Sequence, residues 1–162
     1  MTDASLLRDL TPDDLDWAHA LNQKNAVALA DTNRRDFEAL VANACFARVA
    51  GPNAAFLLAF DRRPTDDSVN YQWFERRYRR FVYIDRVAVA EHGRRRGLAA
   101  ALYSDLFEFA RASGAVIVGA EVNSDPPNPA SDAFHQGQGF RIVGEARLEG
   151  RGKTVRYFSR ML

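Results

Sequence analysis

The stretch Val87–Tyr103, VAVAEHGRRRGLAAALY, decides how this chain is read: an apolar β-type segment gives way to Arg94-Arg95-Arg96-Gly97-Leu98-Ala99 and then to a helix of apolar period. Strand, basic glycine-bearing turn and helix together make a phosphate cradle. A helix N-terminus offers unpaired backbone N–H groups and a partial positive charge, so a loop that brings arginines to it suits a pyrophosphate. Gly97 lets the backbone come close to such a ligand, and Ala99 stays small for the same reason. Taken alone, the same residues also describe an arginine-rich helix start on a solvated surface. The common nucleotide fingerprints are absent: Gly93 and Gly97 fit neither G-x-G-x-x-G nor G-x-x-x-x-G-K-[ST], and no lysine follows.

What the loop resembles is the R-x-x-G-x-[GA] pyrophosphate loop of the GCN5-related N-acetyltransferases. Arg94, Gly97 and Ala99 stand at its three defining positions, after the strand Val87-Ala88-Val89. A second stretch, Asn128-Pro-Ala-Ser131-Asp-Ala-Phe134-His135-Gln-Gly-Gln-Gly139-Phe140, resembles the other signature of that family, an Asn, a short helix, an aromatic pair and then Gly-Phe. On a helix, Asn128, Ser131 and His135 share one polar face, with Ala130, Ala133, Phe134 and Gly137 opposite. The expectation is that the apolar side packs and the polar side meets a ligand. Asn128 also reads as a plain N-cap, with Pro129 at the first helical position.

The resemblance extends over nearly the whole chain. It implies an α/β (α+β) fold with a mixed, mostly antiparallel sheet of about six or seven strands flanked by about four helices, in one domain. It implies acetyl-CoA as acyl donor, held by Val87, Ala88, Val89, Arg94, Arg95, Arg96, Gly97, Leu98, Ala99, Asn128, Ser131 and His135. The activity implied is acetyl transfer to a primary amine of a small metabolite or peptide. A non-catalytic acyl-CoA-binding or sensing module on the same fold is the alternative, and fold alone does not separate the two.

Bulk properties fit an ordinary single domain. At 162 residues, 47% hydrophobic and 11% aromatic, the chain has the material for a real core. A formal net charge of +1 argues against a polyanion, so no nucleic-acid partner is expected. The basic residues are nearly all arginine, Lys24 and Lys153 being the exceptions. A single cysteine, Cys45, excludes an internal disulfide framework and suits a reducing compartment. No apolar run reaches about 18 residues and no cationic start precedes a hydrophobic segment, so neither membrane span nor signal peptide is read and a cytoplasmic location is expected. The few histidines and the one cysteine have no metal-ligand spacing, and no metal is expected. Monomer and homodimer both remain open.

Elements alternate along the chain. Ser5 to Arg8 reads as a short strand, Thr11-Pro12-Asp13-Asp14 as a helix start, and Arg35 to Asn43 as a second helix. Cys45 to Val49 and Ala54 to Phe60 form a hairpin about Gly51-Pro52-Asn53. Phe81 to Val89 is the long central strand. A helix follows from Leu98, then a strand at Val116 to Val122, the Asn128 helix, and closing strands at Phe140 to Ala146 and Val155 to Phe158.

Acetyl transfer to an amine needs a polarised thioester carbonyl, a base for the ammonium proton, and a thiolate that is protonated or tolerated. The resemblance places the carbonyl on backbone N–H groups near Val87 and Val89. Glu121 is the leading base, since it interrupts an apolar strand whose burial raises a carboxyl pKa; a strand-end residue facing solvent is the competing reading. Asp85 is the second, on the same side as Val87 and Val89 by alternation, unless an arginine such as Arg86 or Arg96 claims it. His135 stands where many family members carry a tyrosine proposed as the acid, and an imidazolium is acidic enough for that step. A structural histidine is the competing reading. Asp61 to Arg80 carries Tyr71, Trp73, Phe74 and Tyr78 among Arg76, Arg77, Arg79 and Arg80, which suggests a pocket for an acceptor bearing a carboxylate or an aromatic ring. A helix with a core face and a solvated face accounts for the same pattern.

Overall fold

The structure, a computed structural model, describes residues 7–26, 29–62 and 68–162. One sheet holds seven strands in the order β1-β2-β3-β4-β5-β7-β6. They are β1 (Leu7–Asp9), β2 (Phe46–Ala50), β3 (Ala55–Phe60), β4 (Phe81–Val89), β5 (Ile117–Asp125), β6 (Arg141–Leu148) and β7 (Lys153–Met161). Neighbours are antiparallel except β4 and β5. Five helices accompany them: α1 (Leu15–Lys24), α2 (Arg34–Asn43), α3 (Val69–Glu75), α4 (Leu98–Ala112) and α5 (Pro129–Gly137). The expected mixed, mostly antiparallel sheet is present. The additional helix is α3, inside the long Asp61 to Arg80 connection. The expected first strand falls partly outside the described residues and runs from Leu7 within them.

A parallel β4–β5 pair requires a crossover, and α4 supplies it across one face of the sheet. Leu98, Leu102, Tyr103, Leu106 and Ala110 of that helix pack on Leu57, Val82, Ile84, Val118 and Ala120. On the opposite face, α1 and α2 set Ala18, Leu21 and Phe37 against Val49, Phe56, Leu58 and Phe60. Because both faces are covered, all six residues of β3, AFLLAF, are buried, which is why that strand reads as an unbroken apolar run. Farther along the same face, α3 lays Tyr71 and Phe74 on Phe81, Tyr83, Val155 and Tyr157.

The N-terminal turn is fixed by charge. Asp14, buried at the start of α1, accepts from both terminal nitrogens of Arg8 at 2.6 and 2.8 Å, from the Thr11 N–H at 2.9 Å and from the Trp17 indole at 2.9 Å. These donors hold its carboxyl well below the usual carboxylate range, the Arg8 bond contributing most.

Two irregularities interrupt the central strands. The β4–β5 ladder covers only Phe81–Tyr83 against Ile117–Gly119, after which the two strands part. In the β3–β4 ladder the register shifts so that Leu58 faces Arg86 and Ala59 faces Ile84, leaving Asp85 as an inserted residue.

Candidate active site

The inserted Asp85 resets which way β4 points. Ile84 packs toward α4, and so do Val87 and Val89, whereas Arg86 reaches the other face and bonds Asn22 Oδ1 at 2.9 Å and Thr32 Oγ1 at 3.2 Å. Strict alternation would have set Ile84 and Val87 on opposite faces. The expectation that Asp85 follows Val87 and Val89 is therefore corrected: Asp85 sits with Arg86 in the wall of a cavity on the α1–α2 side. Its Oδ2 lies 2.7 Å from Arg86 Nε, with both side chains buried. Its carboxylate is engaged by the guanidinium of Arg86.

Where β4 and β5 separate, this cavity of about 600 Å³ opens. Its floor carries Tyr83 and Glu121, its near wall Asp85 and Arg86, its far rim Arg151 and Lys153 from the β6–β7 hairpin, and its side the residues Asp36, Leu40 and Asn43 of α2. Glu121 is half-buried, and the Tyr83 hydroxyl donates to its Oε2 at 2.5 Å. Burial, reinforced by the negative charge of Asp85, pushes its carboxyl up to about 8 against the pull of the Tyr83 bond. The cavity thus holds two carboxylates in different surroundings, Asp85 paired with Arg86 and Glu121 bonded to the Tyr83 hydroxyl.

The glycine-bearing loop has the features a pyrophosphate requires. Gly97 takes φ 72°, a left-handed conformation that opens α4, and no side chain caps the first turn of that 15-residue helix. Its leading N–H groups are free of a side-chain partner. Arg94, Arg95 and Arg96 are exposed, and no carboxylate pairs with them among the described residues. Leu98 points its side chain into the core, so only its main chain faces the loop, and Ala99 is half-exposed beside it. Val87, Ala88 and Val89 lie on the length of β4 that β5 has left, where main-chain groups on that edge have no strand to pair with. The open helix end and the exposed guanidiniums beside it fit a pyrophosphate such as that of acetyl-CoA. A second cavity, about 780 Å³, lies between α1 and the end of β4 and includes Trp17, Lys24, Val89 and Arg94 in its lining.

The second signature folds differently from its helical-wheel reading. Asn128 caps α5, its side chain accepting from the Ser131 N–H at 3.3 Å. His135 faces inward: it is 4% exposed and ringed by Tyr103, Phe134, Phe140 and Phe158. Its Nδ1–H donates to the Ser131 carbonyl at 2.8 Å, which leaves Nε2 to accept from the Tyr103 hydroxyl at 2.8 Å. Burial lowers its pKa, so the ring is neutral. The expectation of a ligand-facing polar side is corrected; of the residues read as the packing side, Ala130, Ala133 and Gly137 are exposed. With both nitrogens engaged inside the core, His135 has no free N–H to offer. Ser131 is half-buried and turned to the same histidine, Oγ to Nδ1 at 3.4 Å.

The acceptor role suggested for Tyr71, Trp73, Phe74 and Tyr78 is likewise corrected. Tyr71 and Phe74 are core, and Trp73 stacks on Tyr157 at 4.2 Å. Gly144 makes room for that indole; a Cβ there would come within 2.3 Å of it. Arg77 lies over the Trp73 ring at 3.9 Å, on the outer surface, and Arg76 is exposed. Among the described residues of the connection, Ser68, Val69 and Asn70 line the cavity. Sequence reasoning passes over Tyr83, Lys153 and Arg151; a hydroxyl on the central strand and basic residues in a hairpin turn carry no motif.

The model of the acetyltransferase (GNAT) family matches residues 34–140, and the chain belongs to that family. No curated protein matches the sequence. Among solved structures, the chain resembles Ard1 from Thermoplasma volcanium at 19% identity, covering 96% of each chain with a TM-score of 0.77. It resembles the ribosomal-protein-alanine N-acetyltransferase from Brucella melitensis at 21% identity, covering 97% of this chain and 99% of that one, TM-score 0.74. A third likeness is to yncA of Salmonella typhimurium, a putative acetyltransferase solved with acetyl-CoA, at 20% identity over 96% and 92% of the two chains, TM-score 0.71. No helix among the described residues is long and apolar enough to cross a membrane.

Proposed function

We propose that this protein is an acetyl-CoA-dependent N-acetyltransferase that acetylates a primary amine delivered into the Glu121 cavity. Bound acetyl-CoA supplies the activated acetyl thioester. The observation that carries the reading is Glu121 itself, half-buried at the parting of β4 and β5 and raised to about 8, where it takes a proton from an alkylammonium near neutral pH. The free amine nitrogen then bonds to the thioester carbon and the carbon–sulfur bond breaks. In this reading backbone N–H groups near Val87 and Val89, on the length of β4 that β5 has left, polarise the carbonyl oxygen. The nitrogen, cationic in the adduct, gives up its second proton to solvent as the carbon–sulfur bond breaks, and the departing thiolate, with a pKa of about 8.5, takes a proton from solvent without a protein acid. This matches the engagement of His135 elsewhere.

The family relationship and the likeness to an acetyl-CoA complex support the donor. Soluble cytoplasmic placement and action without a metal or a nucleic acid belong to the same proposal. The test is release of CoA thiol from acetyl-CoA across a panel of primary amines, with Glu121→Gln as control. The competing reading, an acyl-CoA-binding module without turnover, draws on the absence of an accessible acid at position 135. Tight acetyl-CoA binding with no thiol release from any amine would favour it.

A further inference from the structure

Resting on the assignment of the Glu121 cavity as the acceptor site, we propose that the acceptor is an amino carboxylate whose anionic group is held by Lys153, with Arg151 reinforcing it at the rim. Lys153 opens β7 opposite Leu148, on the same face of the strand as Val155 and Tyr157, and Tyr157 is the register partner of Glu121. The alternation of the strand thus directs the Lys153 chain over the cavity floor.

The lysine is half-buried, yet no ion pair or side-chain hydrogen bond holds it among the described residues. Removal of an ammonium from water is costly unless an anion meets it, and among the described residues no carboxylate of the cavity comes within ion-pair distance of Lys153. Glu121 is the acid coupled to it, and its carboxyl already accepts from the Tyr83 hydroxyl. The other acids of the lining are engaged: Asp85 pairs with Arg86, Asp36 accepts from Asn33 at 3.0 Å, and Asp31 accepts from Gln23. The wall of the β6–β7 hairpin is therefore cationic and unmatched, facing a wall of satisfied acids on the α1–α2 side. An acceptor that places its ammonium at Glu121 and a carboxylate at Lys153 satisfies both ends at once. Polyamines would bring a second cation to the lysine.

The probe set is a series of amino carboxylates from glycine to ε-aminocaproate, each beside its own amide, assayed by thiol release with acetyl-CoA. At least one carboxylate should exceed its amide by about tenfold or more in kcat/KM, the scale of one charged hydrogen bond. Lys153→Met should bring that pair together through a higher KM for the carboxylate, and Lys153→Arg should keep most of the preference. Amides used as well as carboxylates, or a Lys153→Met enzyme with the wild-type ratio, would overturn the proposal. If no member releases thiol, the transferase reading fails, and the anion site is read by melting with CoA bound. A carboxylate-dependent rise in Tm that Lys153→Met removes upholds the site; no rise overturns it.

Discussion

Tyr83 donates a 2.5 Å hydrogen bond to Glu121 at the point where β4 and β5 part. A carboxylate accepts more strongly than a carboxylic acid, so this bond draws the Glu121 pKa down while burial and Asp85 push it up. Tyr83→Phe should move the acid limb of the kcat/KM profile to higher pH, by about one unit. A limb that stays in place would show that some other group titrates.

Glu121→Gln should lower kcat by about 100-fold or more and flatten the rise in rate through pH 8. It also has a stability signature. The folded carboxyl binds its proton more tightly than the unfolded one, whose reference value is 4.5, so wild-type stability falls as pH climbs from that value through about 8. The glutamine variant escapes this loss. Its Tm relative to wild type should rise by about 3 °C or more between pH 5 and pH 9, measured by thermal melting.

His135→Ala should cost about 2–4 kcal/mol, because it opens a void beside Phe134 and Phe140 and strands the buried Tyr103 hydroxyl. Tyr103→Phe should cost less, about 1–2 kcal/mol. A double-mutant cycle in denaturant would show the coupling. Because burial lowers the His135 pKa, its contribution is present above the unfolded value of 6.5 and is lost as pH falls below it. A His135 variant of full stability but greatly reduced kcat would restore the histidine to the chemistry.

Saturation with acetyl-CoA at 100 times its Kd should stabilise the fold by roughly 2.7 kcal/mol. Gly97→Val should remove this rise in Tm. The branched side chain also strains a residue at φ 72°, costing about 1–2 kcal/mol without ligand. Ligand-induced stabilisation that survives the substitution would place the pyrophosphate elsewhere.

Arg76→Ala and Arg77→Ala should leave the acceptor KM unchanged, since both lie outside the cavity. Arg77→Ala should cost about 0.5–1 kcal/mol from the lost contact over Trp73. A raised acceptor KM in either variant would return the arginines to the acceptor site.

Much of this fold is legible in periodicity and turn chemistry. Phe81 to Val89 is bounded by its apolar run, and α4 by its leucine spacing after Gly97. Glu121 is visible because a lone carboxylate in an apolar strand is conspicuous. The facing of Asp85 is not, since one inserted residue reverses the direction of everything after it and leaves no mark in composition. The face of α5 escapes a helical wheel for a related reason. A histidine with a carbonyl on one nitrogen and a hydroxyl on the other buries as readily as an aromatic ring, and the hydroxyl comes from Tyr103 on another helix. The aromatics of α3 need the sheet beneath them before they can be recognised as core. Lys153 acquires its meaning from Glu121, which lies far from it in sequence and close to it only through the pairing of β5 with β7.

The parting of β4 and β5 after Tyr83 leaves the middle of the sheet with an internal edge. Exposed edges of this kind are where proteins ordinarily admit another polypeptide strand, but here helices on both faces close the approach to all but a slender chain. A linear amide-bearing molecule that slides into the gap becomes in effect an eighth strand. Its departure returns the amides of Asp85 to Val89 on that side to water. The centre of the molecule, not its periphery, is therefore where hydrogen exchange should slow most on loading.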